Sequence, residues 1–370
     1  MVARLHVVII RAGSVLILDG INTYIWNLAY ALSQYGMRVT VISGYNKLMD
    51  NVDKYNVKHY VRKYFGVNFT GEWYVLKDTN LLFKNLEVID LLKVLEPDIV
   101  HANTAMLLPY RIPKILTFHG LLNFANRLRA FNFAMNIVYD KMCHRSFNKI
   151  IAVSRKALKE FLKYISKRAN ITVVPPMINM SEIRRKFKYT SEREFAILHR
   201  GTHLRKNLAT TLLVFRVLKR EFPNLKLWII GDHQDVMRLI KAFSIDSKDI
   251  EVFINIPWIK LQELYAKACV TIFPSFYEAF GYVALESLAH GTPVVASSAV
   301  AEELVRHGYN GFIVSSPHDV HSFVNYIKRL LTRKDVWNTM SLNALKTASM
   351  FDVKKLLPKI LKVYISVLES

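Results

Sequence analysis

The chain has 370 residues, of which 52% are hydrophobic, and its 51 Lys and Arg residues against 29 Asp and Glu residues give a formal net charge of +22. This length is too great for one typical domain and suits two, and the hydrophobic content excludes a largely disordered chain. The charge indicates an anionic partner, namely a phosphate-bearing substrate, an anionic lipid or a nucleic acid, although a solvated basic surface is the plainer alternative. Neither of the two cysteines, Cys143 and Cys269, has a partner at metal-ligand spacing, so the sequence favours a reducing compartment.

The chain begins MVARLHVVIIRAG, a charged and then apolar stretch that could start a signal peptide. The apolar run is short, Arg11 interrupts its continuation and no small-residue cleavage site follows, so we expect a buried first strand instead. No segment approaches about 20 uninterrupted apolar residues, and no transmembrane helix is predicted. The expected location is the cytoplasm, with the inner face of the membrane as a peripheral alternative.

Short apolar segments alternate with helical patterns through the first half of the chain. Residues 5–10 are typical of a buried strand, and residues 21–36 carry apolar side chains at helical spacing until Gly36 ends the pattern. The other strands predicted in this half are 38–43, 97–103, 114–120, 149–154 and 171–176.

A second series follows the charged stretch 181–194. Its predicted strands are 195–201, 225–232, 251–255, 270–275, 292–297 and 311–315. Buried strands that alternate with amphipathic helices, twice over, predict two doubly wound α/β domains, residues 1–180 and 181–350. Ligands in such domains bind at the carboxyl ends of the strands, so we expect a cleft between two facing domains. Residues 351–370 form a predicted amphipathic helix, with Pro358 inside it, that we expect to cross back to the first domain.

The segment PSFYEAFGYVALESLAHGTPVV, residues 274–295, places Glu278 and Glu286 eight positions apart. A strand, a loop and then a helix are predicted here, with Glu278 in the loop and Glu286 in the helix. The helix begins near Phe280-Gly281-Tyr282, where free N–H groups and the helix dipole favour a phosphate. Gly281 allows a ligand to approach the backbone closely.

The two carboxylates are separated by roughly 10 Å, given the rise of a helix. That is too far for shared metal coordination, no His or Asp completes a metal site, and no Asp-x-Asp motif is present. The layout suits a ligand with hydroxyls on both sides of a phosphate, such as a sugar–diphosphate–nucleoside. Ordinary helix-flanking charges are the alternative.

Residues 274–297 resemble the E-x7-E signature of retaining glycosyltransferases of family 4, which have the GT-B fold. The resemblance implies a first, acceptor-binding domain and a second domain that binds a nucleotide sugar such as a UDP- or GDP-sugar. It implies that Glu278 contacts the donor sugar, that Glu286 contacts the ribose, and that amides of Phe280, Gly281 and Tyr282 hold the diphosphate. Activity as a metal-independent hexosyltransferase, with no cofactor besides the donor, follows from it.

Further residues match the family in chain order. His119, at the end of KILTFHG, matches the active-site histidine near the donor sugar, although a structural histidine is the alternative. Gly20 matches the second glycine of a Gly-Gly loop that faces the donor phosphate, but Asp19 replaces the first. Because an acid beside a diphosphate is unfavourable, we expect Asp19 to point away or to have another role.

The cations that neutralise the leaving diphosphate are expected in HRGTHLRKN, residues 199–207. Lys206 matches the family lysine, and either Arg200 or Arg205 could supply the arginine. A charged helix start is the plainer interpretation. Gly231 matches the glycine that passes near the nucleotide. The resemblance implies a reaction on one face of the sugar, in which the leaving phosphate helps to deprotonate the acceptor.

Residues 121–149 mix aromatic and aliphatic side chains with Arg and Lys, which favours a helix at a membrane interface and hence a lipid-linked acceptor on an anionic surface. A packed helical region is the alternative. Two other functions remain open. One is a GT-B enzyme that glycosylates DNA bases, which the charge permits although no nucleic-acid-binding module is recognisable. The other is a non-catalytic protein that binds nucleotide sugars.

Overall fold

The computed structural model describes residues 4–45, 56–76, 81–108, 111–121 and 130–370, with the backbone alone described at 81–85 and 130–136. The chain divides into two compact units. The first combines Met1–Met177 with Val353–Ser370, and the second is Ile178–Asp352.

The first unit contains a parallel sheet. Its strands are β1 (His6–Arg11), β2 (Arg38–Gly44), β3 (Glu72–Leu76), β4 (Ile99–Ala102), β5 (Lys114–Phe118), β6 (Lys149–Ala152) and β7 (Ile171–Val173). Among the described residues the strand order is β3-β2-β1-β4-β5-β6-β7, and every neighbouring pair is parallel. The central strands are buried on both faces, which explains why their sequences are continuously apolar rather than alternating.

Helices lie between these strands. They are α1 (Gly20–Gln34), α2 (Val57–Phe65), α3 (Leu81–Leu95), α4 (Ala130–Cys143) and α5 (Arg155–Tyr164). Asp19 caps α1, because its side chain accepts the backbone N–H of Asn22 and so satisfies one of the orphan donors of the first turn. Ser154 caps α5 in the same way through Ala157 N.

The C-terminal helix, Val353–Leu368, belongs to the first unit. Its apolar face is buried, and the Tyr364 hydroxyl lies 2.8 Å from His101 Nδ1 on β4. Pro358 lies in the second turn on the exposed side of the helix. The break that a proline makes in the backbone hydrogen bonding therefore faces solvent.

The second unit repeats the arrangement. Its strands are β8 (Glu194–Arg200), β9 (Lys226–Ile230), β10 (Ile250–Phe253), β11 (Ala268–Phe273), β12 (Val294–Ser297) and β13 (Gly311–Val314). Its helices are α6 (Met180–Lys186), α7 (Leu208–Glu221), α8 (His233–Ala242), α9 (Trp258–Lys267), α10 (Tyr282–Ala289), α11 (Val320–Thr332) and α12 (Lys334–Ala348). The strands are all parallel, in the order β10-β9-β8-β11-β12-β13.

Strand β8, near the centre of the second sheet, packs helices on both of its faces. On β8, Ile197 joins the cluster that includes α7 and α11, whereas Ala196 and Leu198 join the cluster built on α9. Since successive side chains of a strand point to opposite faces, one continuously apolar strand supplies two cores. The prediction of two doubly wound α/β domains is confirmed, and with it the GT-B fold class.

In both sheets the strand order reverses at one position, between β1 and β4 in the first unit and between β8 and β11 in the second. In open α/β sheets, ligands bind in the crevice outside the carboxyl ends of the strands at such a switch point. The residues that follow these four strands are therefore the first place to look for function.

The structure also contains elements that we did not predict. Strand β3 and helices α2 and α3 fill the interval between two predicted strands. The charged stretch 181–194, which we treated as a boundary, begins as helix α6, capped by Asn179. The described sequence changes unit at 177–178 and at 352–353.

Candidate functional site

The loop after β11 carries the first of the two glutamates. Glu278 is 6% exposed, and its Oε1 accepts a hydrogen bond from Lys206 Nζ at 2.7 Å. The Lys206 ammonium also lies over the ring of Phe273, 4.7 Å from its centroid. Burial alone would raise the pKa of Glu278, but the Lys206 and Arg205 charges and the hydrogen bonds outweigh it and hold that pKa below its usual value. Glu278 is thus an ionised, fixed carboxylate.

The second glutamate pairs with an arginine from the other strand of the switch point. Glu286 lies on α10 and is 3% exposed, and its Oε2 accepts from the guanidinium of Arg200, the last residue of β8. The Tyr265 hydroxyl donates to the same oxygen at 3.4 Å. Burial raises the pKa of Glu286, and Arg200 and Tyr265 offset part of this effect. Arg200 is therefore committed to Glu286 within the described structure.

A buried histidine, His199, fixes the loop between β8 and α7 through two hydrogen bonds. His199 Nε2 donates to Gly201 O at 2.8 Å, and its Nδ1 accepts from Thr211 Oγ1 at 2.8 Å. Gly201 has a φ of +103°, and a Cβ there would lie 2.9 Å from Lys206 Cγ. The glycine therefore allows both the turn and the close passage of the lysine stem, which together aim Lys206 at Glu278.

Arg205 differs from its neighbours in this loop. Its carbonyl accepts from Phe276 N at 2.9 Å, which ties the loop to the segment before Glu278. No acidic side chain among the described residues forms an ion pair with its guanidinium. Of the two arginines predicted to face the diphosphate, Arg205 is the one whose charge remains available.

The turn that begins α10 is held by the core. Gly281 has a φ of +107°, and a Cβ there would lie 2.7 Å from Val300 Cγ2. The side chains of Phe280 and Tyr282 are 4% and 8% exposed, and the Phe280 ring packs on Phe351. These aromatic side chains are structural, so a ligand at this turn meets the backbone and the positive end of the helix dipole.

Gly231 has a packing role. It follows β9, and a Cβ there would lie 2.4 Å from Thr202 Cγ2. Thr202 Oγ1 in turn accepts from Asp232 N at 3.1 Å. The glycine brings the end of β9 against the loop that carries Arg205 and Lys206. That it passes near a nucleotide stays a prediction.

In the first unit, two side chains meet after neighbouring strands. His119 follows β5, and its Nε2 lies 2.9 Å from Asn103 Oδ1, just after β4. The ring of Tyr24 contacts His119 edge-on at 5.2 Å between centroids. Burial lowers the pKa of His119 to about 3, with smaller contributions from Arg11 and His101, so the ring is neutral at pH 7.

The structure gives Asp19 a specific role. Its carboxylate caps α1 through Asn22 N at 2.8 Å and forms an ion pair with Arg11 at 3.0 Å. The guanidinium of Arg11 also donates to the Asn22 side chain. Asp19 is therefore neutralised locally, and Gly20 is the first residue of α1. No sequence pattern indicates this role of Arg11, because its partner lies eight positions away in an irregular loop.

Part of the segment predicted to meet a membrane, 122–129, lies outside the described residues. The described end of α4 exposes Val138 and Met142, which are 50% and 61% exposed. In the part of the chain that the structure covers, no helix is long and apolar enough to cross a membrane. Within that same part, no three His, Cys, Asp or Glu side chains group as a metal site would require.

Each half of the chain matches a model of a glycosyltransferase family. Residues 18–182 match the family model described as Glycosyltransferase Family 4, and residues 179–347 match the model described as Glycosyl transferases group 1. The two matches together span residues 18–347, and each covers a little under half of the chain.

Curated relatives agree at the level of the family. An uncharacterized glycosyltransferase of Haemophilus influenzae is 26% identical over 343 residues, which cover 90% of this chain and 92% of that protein. D-inositol 3-phosphate glycosyltransferase of Thermobispora bispora is 36% identical over 114 residues, or 30% of this chain. The chain spans only 26% of the length of that relative.

Solved structures show the same fold along almost the whole chain. Sucrose-phosphate synthase from Thermosynechococcus elongatus aligns with a TM-score of 0.79 at 18% identity, over 99% of this chain and 100% of that one. Anabaena Alr3699/HepE, solved in complex with UDP-glucose, aligns with a TM-score of 0.76 at 18% identity, over 98% and 100% of the two chains.

Proposed function

We propose that the protein transfers a sugar from a nucleotide-diphosphate sugar to an acceptor hydroxyl, with retention of the anomeric configuration. The observation that carries the proposal is the arrangement at the switch point of the second unit. There, two buried carboxylates, each fixed by its own cation, lie on either side of the start of α10. The family of each domain supports the same reaction class.

In this proposal the donor lies along α10 and the loop before it. The diphosphate binds at the Gly281 turn, where the helix dipole favours negative charge. Arg205, which has no ion pair among the described residues, supplies one cation, and Lys206, which the resemblance assigns to the diphosphate, supplies the other beside its partner Glu278. Glu278 accepts hydrogen bonds from the sugar hydroxyls, and Glu286 accepts them from the ribose.

The reaction breaks the bond between the anomeric carbon and the diphosphate oxygen, and a bond forms from the acceptor oxygen to that carbon. Negative charge grows on the departing diphosphate, and Lys206, Arg205 and the start of α10 stabilise it electrostatically. The acceptor hydroxyl loses its proton to the leaving diphosphate on the same face of the sugar. His119, which is neutral at pH 7, binds a sugar hydroxyl rather than an anion.

For the acceptor we propose a lipid-linked glycan at an anionic membrane surface. The net charge of +22 supports it, as do the exposed Val138 and Met142 of α4 beside the basic Lys141 and Arg145. Sedimentation with phosphatidylglycerol vesicles at moderate salt tests this step. Failure to bind such vesicles, or transfer of labelled sugar to duplex DNA, would contradict it without affecting the donor site.

The donor proposal is tested by calorimetric titration of the full chain with UDP-glucose, UDP-N-acetylglucosamine, GDP-mannose and ADP-glucose. We expect one of these to bind and to be hydrolysed slowly in water. Proton NMR of the first sugar released then reports the anomeric configuration, and we expect retention. If none of the four binds, the proposed function is wrong, and release of the inverted anomer would contradict retention alone.

A further inference from the structure

Asn103 is placed where a ligand is expected in the first unit. It is the first residue after β4, and its backbone N–H donates to Ile10 O on β1 at 2.7 Å. Strands β1 and β4 are the pair between which the strand order reverses. The Asn103 side chain therefore lies at the switch point of the first sheet, on the carboxyl edge, where ligands of such sheets bind.

The carbonyl oxygen of the Asn103 side chain has a hydrogen-bond partner, but its amide nitrogen does not. Asn103 is 6% exposed, and its Oδ1 accepts from His119 Nε2 at 2.9 Å. Its Nδ2 is buried and has no hydrogen-bond partner in the described part of the chain. Native structures rarely leave a buried amide donor unsatisfied, because it forfeits its hydrogen bonds to water, and such exceptions call for an explanation.

The charges around Asn103 indicate what kind of oxygen would accept from it. Arg11, at the end of the neighbouring strand, is paired with Asp19 at 3.0 Å. His119 is neutral. Neither Arg11 nor His119 therefore offers a phosphate an uncompensated positive charge, whereas a hydroxyl oxygen needs none.

The histidine adds a complementary group. Because Nε2 of the neutral His119 ring donates to Asn103, the proton is on that nitrogen, and Nδ1 carries a lone pair. Nδ1 has no partner among the described residues. The pair thus offers one donor, Asn103 Nδ2, and one acceptor, His119 Nδ1. A sugar hydroxyl, which both donates and accepts, matches this pair.

We propose that Asn103 is a sugar-binding residue, whose Nδ2 donates to a hydroxyl oxygen of a sugar substrate while its Oδ1 holds His119 with Nδ1 free to accept. The inference rests on the proposed sugar transfer. It adds a specificity-determining residue to that reaction, since discrimination by a buried donor depends on the substrate having the matching hydroxyl.

The test uses Asn103→Asp, which keeps an oxygen for His119 but removes the N–H donor. Assays at pH 8 keep His119 neutral beside the new carboxylate. Asn170→Ala, an exposed asparagine of the same unit, is the matched control. Each variant is assayed for hydrolysis of UDP-glucose and its 3-, 4- and 6-deoxy forms, and for transfer from UDP-glucose to glycerol, inositol and methyl α-glucoside.

We expect Asn103→Asp to lower kcat/KM at least about tenfold with UDP-glucose, and to have little effect with the deoxy form that lacks the bound hydroxyl. If the hydroxyl belongs to the acceptor, hydrolysis is unchanged and the loss appears only in transfer. The control should match the parent throughout. An equal loss with every donor and acceptor would show a merely structural role and overturn the inference. Failure of the unsubstituted protein to bind or hydrolyse any of UDP-glucose, UDP-N-acetylglucosamine, GDP-mannose and ADP-glucose would instead refute the proposed function.

Discussion

Lys206 and Glu278 form a buried ion pair, with 2.7 Å between Nζ and Oε1 and side chains that are 13% and 7% exposed. The two residues come from different loops, one after β8 and one after β11, so the pair joins both strands of the switch point. Burial lowers the pKa of Lys206, and the Glu278 charge opposes that shift. Each partner therefore depends on the other to remain ionised.

Replacing Glu278 by Gln should leave the Lys206 ammonium buried without its counter-charge. We expect a loss of about 3 kcal/mol in the free energy of unfolding, because breaking a buried pair costs more than removing both partners. The double variant Lys206→Met with Glu278→Gln should recover most of that stability. Urea unfolding of the parent, the single variant and the double variant measures this. A single variant as stable as the parent would show that the pair contributes nothing to folding.

We expect the two arginines at the end of β8 and in the loop after it to have different roles, Arg205 in donor binding and Arg200 in stability. Arg205→Ala should change the free energy of unfolding by less than about 1 kcal/mol, since no ion pair is lost, but should raise the Kd for the donor by about 10-fold to 100-fold. Arg200→Met should destabilise the fold, because Glu286 would lose its buried partner. Calorimetry measures the donor Kd of both variants, and urea unfolding measures their stability. Weaker donor binding by Arg200→Met, with loss of stability in Arg205→Ala, would assign the diphosphate to Arg200.

Gly281 and Gly308 provide a matched pair of left-handed glycines. Both have a positive φ, +107° and +76°, but a Cβ on Gly281 would meet Val300 at 2.7 Å and a Cβ on Gly308 would meet nothing within 4 Å. Gly308→Ala should cost about 1–2 kcal/mol from backbone strain alone. Gly281→Ala should cost more and should also weaken donor binding. Adding Val300→Ala should relieve the clash in Gly281→Ala. Equal costs for the two alanines would contradict the close packing of the α10 turn.

Stability should fall as the pH is lowered from 7 to 5. Burial lowers the pKa of His290 to about 3 and that of His199 to about 4, whereas an unfolded histidine titrates near 6.5. The unfolded chain thus binds more protons across this range, so the stability is complete above about pH 6.5 and is lost below it. Each histidine should contribute about 2 kcal/mol to the loss between pH 7 and pH 5.

Replacing His290 by Gln should make this pH dependence shallower. The variant removes one group that must release its proton on folding, although it also loses the hydrogen bond to Gln262. Its free energy of unfolding at pH 7 should be lower, but the decrease between pH 7 and pH 5 should be smaller by about 2 kcal/mol. Parallel curves for parent and variant would show that His290 does not titrate with folding.

The sequence predicted the elements whose apolar runs are continuous, and it missed those whose runs are not. Strands such as β1 and β11 are buried on both faces, so composition alone identifies them. Strand β3, Glu72–Leu76, lies at the sheet edge with only part of its side chains buried, and its mixed sequence gave no clear period. The C-terminal helix was recognisable from its amphipathic pattern, and the proline inside it, Pro358, lies on the exposed side.

Local spacing in the sequence predicted where the two glutamates of the site lie, but the sequence could not predict which distant residues pair with them. The loop and helix that carry Glu278 and Glu286 could be placed from one segment, and the structure puts them there. No sequence pattern shows that Arg200 pairs with Glu286, 86 positions away. Asn103 carries the same signal as His119, a polar residue directly after a buried strand, and could have been identified by that rule.

In the proposed function, the second unit binds a nucleotide sugar at the buried carboxylates and the protein transfers the sugar. The most direct measurement compares hydrolysis and transfer of the bound nucleotide sugar by the parent with those by the double variant Lys206→Met, Glu278→Gln. We predict that the double variant folds with near-parent stability but loses activity by about 100-fold or more, because the cation at the departing diphosphate is gone. A folded double variant with parent activity would contradict the proposed role of this ion pair in sugar transfer.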